Sequence, residues 1–85
     1  MVETRCAPRF HVSKLATIGI GKTAIRCRVC DLSLTGAAIA VEDSTGIPNR
    51  FTLVLPEDGL ELPCKIVWRR EFRIGVRFEF SEQLH

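Results

Sequence analysis

Residues 71–80 read EFRIGVRFEF. Phe72, Ile74, Val76, Phe78 and Phe80 fall at every second position, with Arg73, Gly75, Arg77 and Glu79 between them. A repeat of two is the mark of an extended chain, whose successive side chains point to opposite sides. The stretch is expected to be a strand with its phenylalanines turned inward.

The same period runs outward from it. Residues 63–70, PCKIVWRR, set Cys64, Ile66 and Trp68 against Lys65, Val67 and Arg69. Residues 50–56, RFTLVLP, set Phe51, Leu53 and Leu55 against Thr52 and Val54. In residues 24–30, AIRCRVC, Ile25, Cys27 and Val29 oppose Arg26 and Arg28. Residues 36–42 add Ala37, Ile39 and Val41, and residues 11–20 read more weakly through Val12, Ala16, Ile18 and Ile20. Turn signals separate these segments: GIGK, DLSLTG, EDSTGIPN, PEDG and RREF. The fold class expected is all-β: a small six-stranded antiparallel β-barrel, an up-and-down meander closed on itself to remove its edges. Little or no helix is expected before residue 80. The barrel is assigned to residues 11–80 and an N-terminal arm to residues 1–10. Pro8 argues against a regular helix in that arm.

The 85 residues make one domain. Their 46% hydrophobic and 26% charged content is that of a globular chain. No apolar run approaches the roughly 20 residues of a membrane helix. The opening MVETRCAPRF has no apolar signal core, so a cytoplasmic location is expected. The net charge of +2 is too small for bulk nucleic-acid binding. Nine of the twelve basic residues are arginine, which favours planar, bidentate recognition of phosphate or guanine.

Of the four cysteines, Cys27 and Cys30 spell C-x-x-C. A structural zinc site would want a second pair, and Cys6 and Cys64 stand alone. On one strand, residues three apart face opposite ways, so the two thiols are expected to diverge. No metal, cofactor or catalytic set is assigned. His11 and His85 are far apart, and no acid–histidine–nucleophile arrangement stands out.

Two short motifs remain. Residues 31–36, DLSLTG, fit a strand-connecting turn in which Asp31 and Ser33 bond nearby backbone and Gly36 takes positive φ. They also fit half of a binding site. Asp31 and Ser33, two apart in extended chain, point the same way. They can accept donors from a base edge, while Gly36 leaves room for it. Arg5 and Arg9 form R-x-x-x-R outside any strand, where no sheet role explains them. The other pairs of this spacing, Arg69 with Arg73 and Arg73 with Arg77, read as a solvated charge ladder beside Glu71 and Glu79.

In this order, R-x-x-x-R before the first strand, D-x-S-x-x-G after the second, then Val67–Trp68 and RIGVRF, the chain resembles the PilZ domain family of bacterial cyclic di-GMP receptors. The resemblance runs from Arg5 to about Phe80. It implies a receptor or adaptor without catalysis of its own, which changes shape on binding and signals to an effector protein not identified by the sequence. It implies that Arg5, Arg9, Asp31, Ser33 and Gly36 bind cyclic di-GMP. Trp68 is a further candidate, either beside a guanine at the rim or in the core. The chain departs from the family pattern at Thr4, where many members carry a second basic residue, and at its end, where many carry a helix. Rival readings are a PilZ-like interaction module without nucleotide, a single-strand nucleic-acid-binding barrel using Arg69, Arg73 and Arg77, and a thiol or metal protein built on Cys27 and Cys30. An inward phase of Phe72, Phe78 and Phe80 weighs against the nucleic-acid reading.

Overall fold

Six strands succeed one another along the chain: β1 (Phe10–Ile18), β2 (Ile25–Leu32), β3 (Gly36–Ala40), β4 (Arg50–Leu55), β5 (Leu60–Arg70) and β6 (Arg73–Phe78). The structure is a computed structural model, described for residues 10–19 and 21–79. Each strand lies within a segment of alternating sequence or overlaps it closely. The only helical pieces among the described residues are single 3-10 turns at Gly21–Thr23 and Pro56–Asp58.

The strands close into an antiparallel barrel in the order β1-β2-β3-β6-β5-β4. This is not the simple meander expected. β1-β2-β3 and β4-β5-β6 are each meanders, but β3 pairs with β6 and β4 returns to β1, which is Greek-key connectivity. The reason lies in residues 41–49. This connection is too long for a hairpin, and it buries Val41, Ser44 and Ile47. It runs over the end of the barrel where β5 turns into β6. Val41 N–H donates to the Phe72 carbonyl at 3.0 Å, and Ser44 N–H to the Glu71 carbonyl at 3.2 Å. Ile66 N–H reaches the Asn49 carbonyl at 2.8 Å.

Arg69 completes this anchorage. Its guanidinium donates to the Ser44 carbonyl, to the Ile47 carbonyl at 2.9 Å and to Asn49 Oδ1 at 3.0 Å. The reading of Arg69 as one rung of a solvated ladder is therefore corrected. It binds the crossover that decides the topology. Glu79 is also engaged, lying 3.4 Å from Arg50.

The core matches the alternation closely. Val29, Ile39, Leu53 and Ile74 are fully buried, each from a different strand. Burial of such a side chain contributes roughly 1.5–3 kcal/mol. Three inward assignments fail, the first at Ile25, which opens β2 and is exposed. Phe72 lies in the turn before β6 and is 61% exposed, because the alternation does not carry through the turn. Trp68 comes after a β-bulge: Ile66 pairs with Val76, but Trp68 pairs with Gly75, leaving Val67 as the extra residue. A bulge reverses the inside–outside phase of the residues beyond it. Val67 and Trp68 are both exposed as a result. Phe80 and the arm lie outside the described residues, apart from Phe10, which opens β1.

Cys27 and Cys64 are core residues. Burial pushes the Cys27 thiol up to about 11 and the Cys64 thiol up to about 12. Both stay protonated at neutral pH, which removes the nucleophilic form. A raised thiol pKa stabilises the fold below the ordinary thiol range, and that contribution is lost as pH climbs through the folded values. Chemical denaturation is therefore expected to show falling stability from about pH 9 to about pH 11, with a smaller fall in Cys27→Ser or Cys64→Ala. Arg69→Ala is expected to lower the unfolding free energy by about 1.5–3 kcal/mol, the worth of charge-assisted hydrogen bonds. Lysine is not expected to restore it, since it lacks the planar fork. Denaturant midpoints of the two variants measure this.

Candidate functional site

One row of outward positions crosses five strands in register. His11 on β1 faces Asp31 on β2; Asp31 faces Ala38 on β3; Ala38 faces Gly75 on β6; and Gly75 faces Trp68 on β5. The middle of the row has almost no side chain. One end carries the His11 imidazole and the Asp31 carboxylate, and the other the Trp68 indole. The result is a surface hollow of about 180 Å³, bordered by Asp31, Ser33, Gly36, Ala38, Trp68 and Gly75. Four of the residues expected to bind ligand therefore lie around one hollow: Asp31, Ser33, Gly36 and Trp68. Arg5 and Arg9 lie outside the described residues.

Local chemistry builds each wall. Ser33 Oγ accepts from Thr35 N–H and Gly36 N–H, both at 3.2 Å, and Ser33 N–H donates to the Gly36 carbonyl at 2.9 Å. This hydroxyl holds the turn that DLSLTG makes. Phe78 N–H then ties the turn to β6 through the Thr35 carbonyl at 2.8 Å. Gly36 does not have positive φ, contrary to the expectation for a turn glycine. It is the first residue of β3, and its role is close approach: a β-carbon there would collide with the Val76 carbonyl oxygen. Gly75 serves likewise, since a β-carbon on it would collide with the Trp68 indole. The ring of Trp68 thus lies over Gly75, with the Arg70 guanidinium 5.6 Å from its centroid.

Cationic rows flank the hollow on both sides. Leu15, Arg28, Ala40, Arg73 and Arg70 form one, and Gly36, Arg77, Lys65 and Arg50 the other. Asp31 is the carboxylate between them. Its Oδ1 is closed to solvent and lies 2.5 Å from His11 Nδ1, though without hydrogen-bond geometry.

The sequence reading missed His11. Counting back along the β1–β2 hairpin from Ile18 opposite Ile25 puts Val12 opposite Asp31. A bulge between His11 and Lys14 moves the pairing by one residue. Strand alternation alone does not reveal that shift. Cys27 points into the core while Cys30 is half-buried, and no group of three metal-binding side chains occurs among the described residues.

Fold and site together define a small Greek-key barrel domain with a serine-held turn beside an exposed indole. The PilZ domain family model matches residues 3–84, and the chain belongs to that family. PilZ domains are cyclic di-GMP-binding receptor and adaptor modules, not enzymes. The crystal structure of Lpg0364, an uncharacterized Legionella protein, is similar over 88% of this chain and 80% of that one, with 16% identity and a TM-score of 0.61. That likeness shows a shared fold. No curated protein matches the chain. No helix among the described residues is long and apolar enough to cross a membrane.

The two glycines are expected to respond differently to alanine. In Gly36→Ala the obstacle is backbone, so β3 and β6 must separate and the denaturant midpoint falls sharply. In Gly75→Ala the obstacle is a side chain. The indole moves away with a smaller stability loss and a shifted tryptophan emission maximum, readable because Trp68 is the single tryptophan.

Proposed function

We propose that this chain binds cyclic di-GMP over the hollow between the DLSLTG turn and Trp68, and that ligand binding alters the surface read by an effector protein. The observation that supports this most is the convergence of Asp31, Ser33, Gly36 and Trp68 on one hollow between two cationic rows. The ligand is a dianion carrying two guanines. Asp31 accepts the guanine N1–H and N2–H donors. Trp68 offers its ring for stacking on a base, which every purine can use. The phosphodiester charges lie in the field of the flanking arginines and Lys65.

Arg5 and Arg9 supply the remaining contacts in this reading. Phe10 pairs with Leu32, between Asp31 and Ser33, so the chain joins the barrel beside the acceptor turn. Arg9 immediately precedes Phe10 in the sequence. A guanidinium pairs bidentately with guanine O6 and N7, or grips phosphate oxygens. In this reading the ligand-bound arrangement is selected by its extra contacts. No catalytic step and no cofactor are part of this proposal.

A second reading keeps some support. Trp68 and Phe72 are exposed, and Arg73 and Arg77 make no ion pair with the described side chains, so a single nucleic-acid strand has both stacking surfaces and cations to meet. The inward phase that weighed against this holds for Phe78 but not for Phe72.

Calorimetry with cyclic di-GMP, giving affinity and stoichiometry together, tests the proposal. Arg9→Ala is expected to weaken binding roughly 10- to 150-fold, the loss of a charge-assisted pair worth about 1.5–3 kcal/mol, and Arg9→Lys is not expected to rescue it. Arg73→Ala, one row from the hollow, is expected to cost much less. Equal losses at Arg9 and Arg73 would reduce the site to bulk charge. Tight binding of a labelled oligonucleotide at low salt, with no heat from cyclic di-GMP, would favour the second reading.

A further inference from the structure

The contact between His11 and Asp31 has a consequence for ligand access. His11 Nδ1 lies 2.5 Å from Asp31 Oδ1, and the histidine side chain is 94% exposed. The ring is therefore held by little packing and is free to rotate away. The Asp31 side chain is 22% exposed, yet its Oδ1 is closed to solvent. A guanine edge presents adjacent N1–H and N2–H donors, which a carboxylate meets best with both of its oxygens. The imidazole stands on one of the two.

Resting on the cyclic di-GMP reading above, we infer that His11 is a pH-sensitive competitor for Asp31. As imidazolium it pairs with the carboxylate and withholds Oδ1 from the ligand. As neutral imidazole it loses the ionic attraction and yields the position. Imidazole is the side chain whose charge ordinarily changes between pH 5 and 8.

The neighbouring groups do not offer another source for this behaviour. On β1, Lys14 is turned to Asp58, at 3.2 Å. On β2, Arg28 donates to Ser13 Oγ at 2.8 Å, and Cys30 Sγ contacts the Arg28 carbonyl. β3 presents only Ala37 and Ala38 opposite Leu32 and Asp31. Beyond it, β6 carries Arg73 and Arg77 in the flanking rows, and arginine keeps its charge throughout this range. Arg5 and Arg9 also keep theirs, whatever their placement.

The sign of the effect separates this inference from simple electrostatics. A protonated histidine beside a dianionic ligand would, by charge alone, tighten binding on acidification. Competition for Asp31 predicts the reverse.

The test is calorimetry with cyclic di-GMP at about pH 8 and about pH 5.5. Ionic strength is held constant, the intact chain and His11→Ala are compared, and circular dichroism verifies folding at both pH values. The intact chain is expected to lose affinity about two- to fivefold on acidification, the scale of an exposed ion pair. His11→Ala is expected to bind at both pH values about as well as the intact chain does at the higher one. Equal pH slopes in the two proteins, or tighter binding by the intact chain at low pH, overturn the inference while leaving the ligand reading standing. No binding by the intact chain at the higher pH overturns the ligand reading and this inference with it.

Discussion

Closure of the barrel depends on a connection that cannot be a hairpin. Residues 41–49 carry the chain from the end of β3 to the start of β4, and β4 must then meet β1. That seam is short: Thr17 opposite Val54 and Ile18 opposite Leu53. It holds because the crossover is itself fixed, with Val41 and Ile47 in the core and three acceptors on the guanidinium of Arg69. Once β4 is committed to β1, β3 is left to pair with β6. That pairing brings the DLSLTG turn against the strand that carries Gly75. The hollow is therefore a product of connectivity before it is a product of side chains.

Within that frame, missing atoms matter as much as present ones. Gly36 lets β3 approach the Val76 carbonyl, and Gly75 lets the indole of Trp68 lie on the sheet. Ser33 commits its hydroxyl to the turn, so its first contribution is to hold Asp31 and Gly36 at fixed positions around the cavity. The bulge at Val67 turns Trp68 outward and places Arg69 where it can reach the crossover. One inserted residue thus serves both the site and the topology.

The strands were legible because alternation is a local property of each segment, and burial favours it directly. Val29, Ile39, Leu53 and Ile74 sit where their phase put them. The turn was legible as well, since serine and glycine at that spacing suit a strand connection in which the hydroxyl bonds nearby backbone. What alternation cannot convey is a change of phase. The bulge near Trp68 and the end of the pattern at Phe72 reversed two inward assignments, and the bulge after His11 concealed its pairing with Asp31. Strand order was hidden for a different reason. Both the meander and the Greek key satisfy the same inside–outside pattern, and only the buried residues of the crossover distinguish them. Arg69 looked like its neighbours Arg73 and Arg77 because a strand position says nothing about which loop passes over it.

The division of the barrel into two meanders bears on how the chain reaches this state. The β1–β2 and β5–β6 hairpins join residues close in sequence, so each forms at a small entropic cost of loop closure. The β1–β4 seam joins residues far apart and must wait for the crossover to settle. Asp31 and Trp68 are thus set in separate local units, which come together only when β3 finds β6. A chain with both hairpins formed but the seam open would carry each half of the hollow without its opposite wall. The complete hollow is then a property of the last assembled contacts, and a molecule bridging Asp31 and Trp68 would act on the folding landscape as a bond between two otherwise separately nucleated halves.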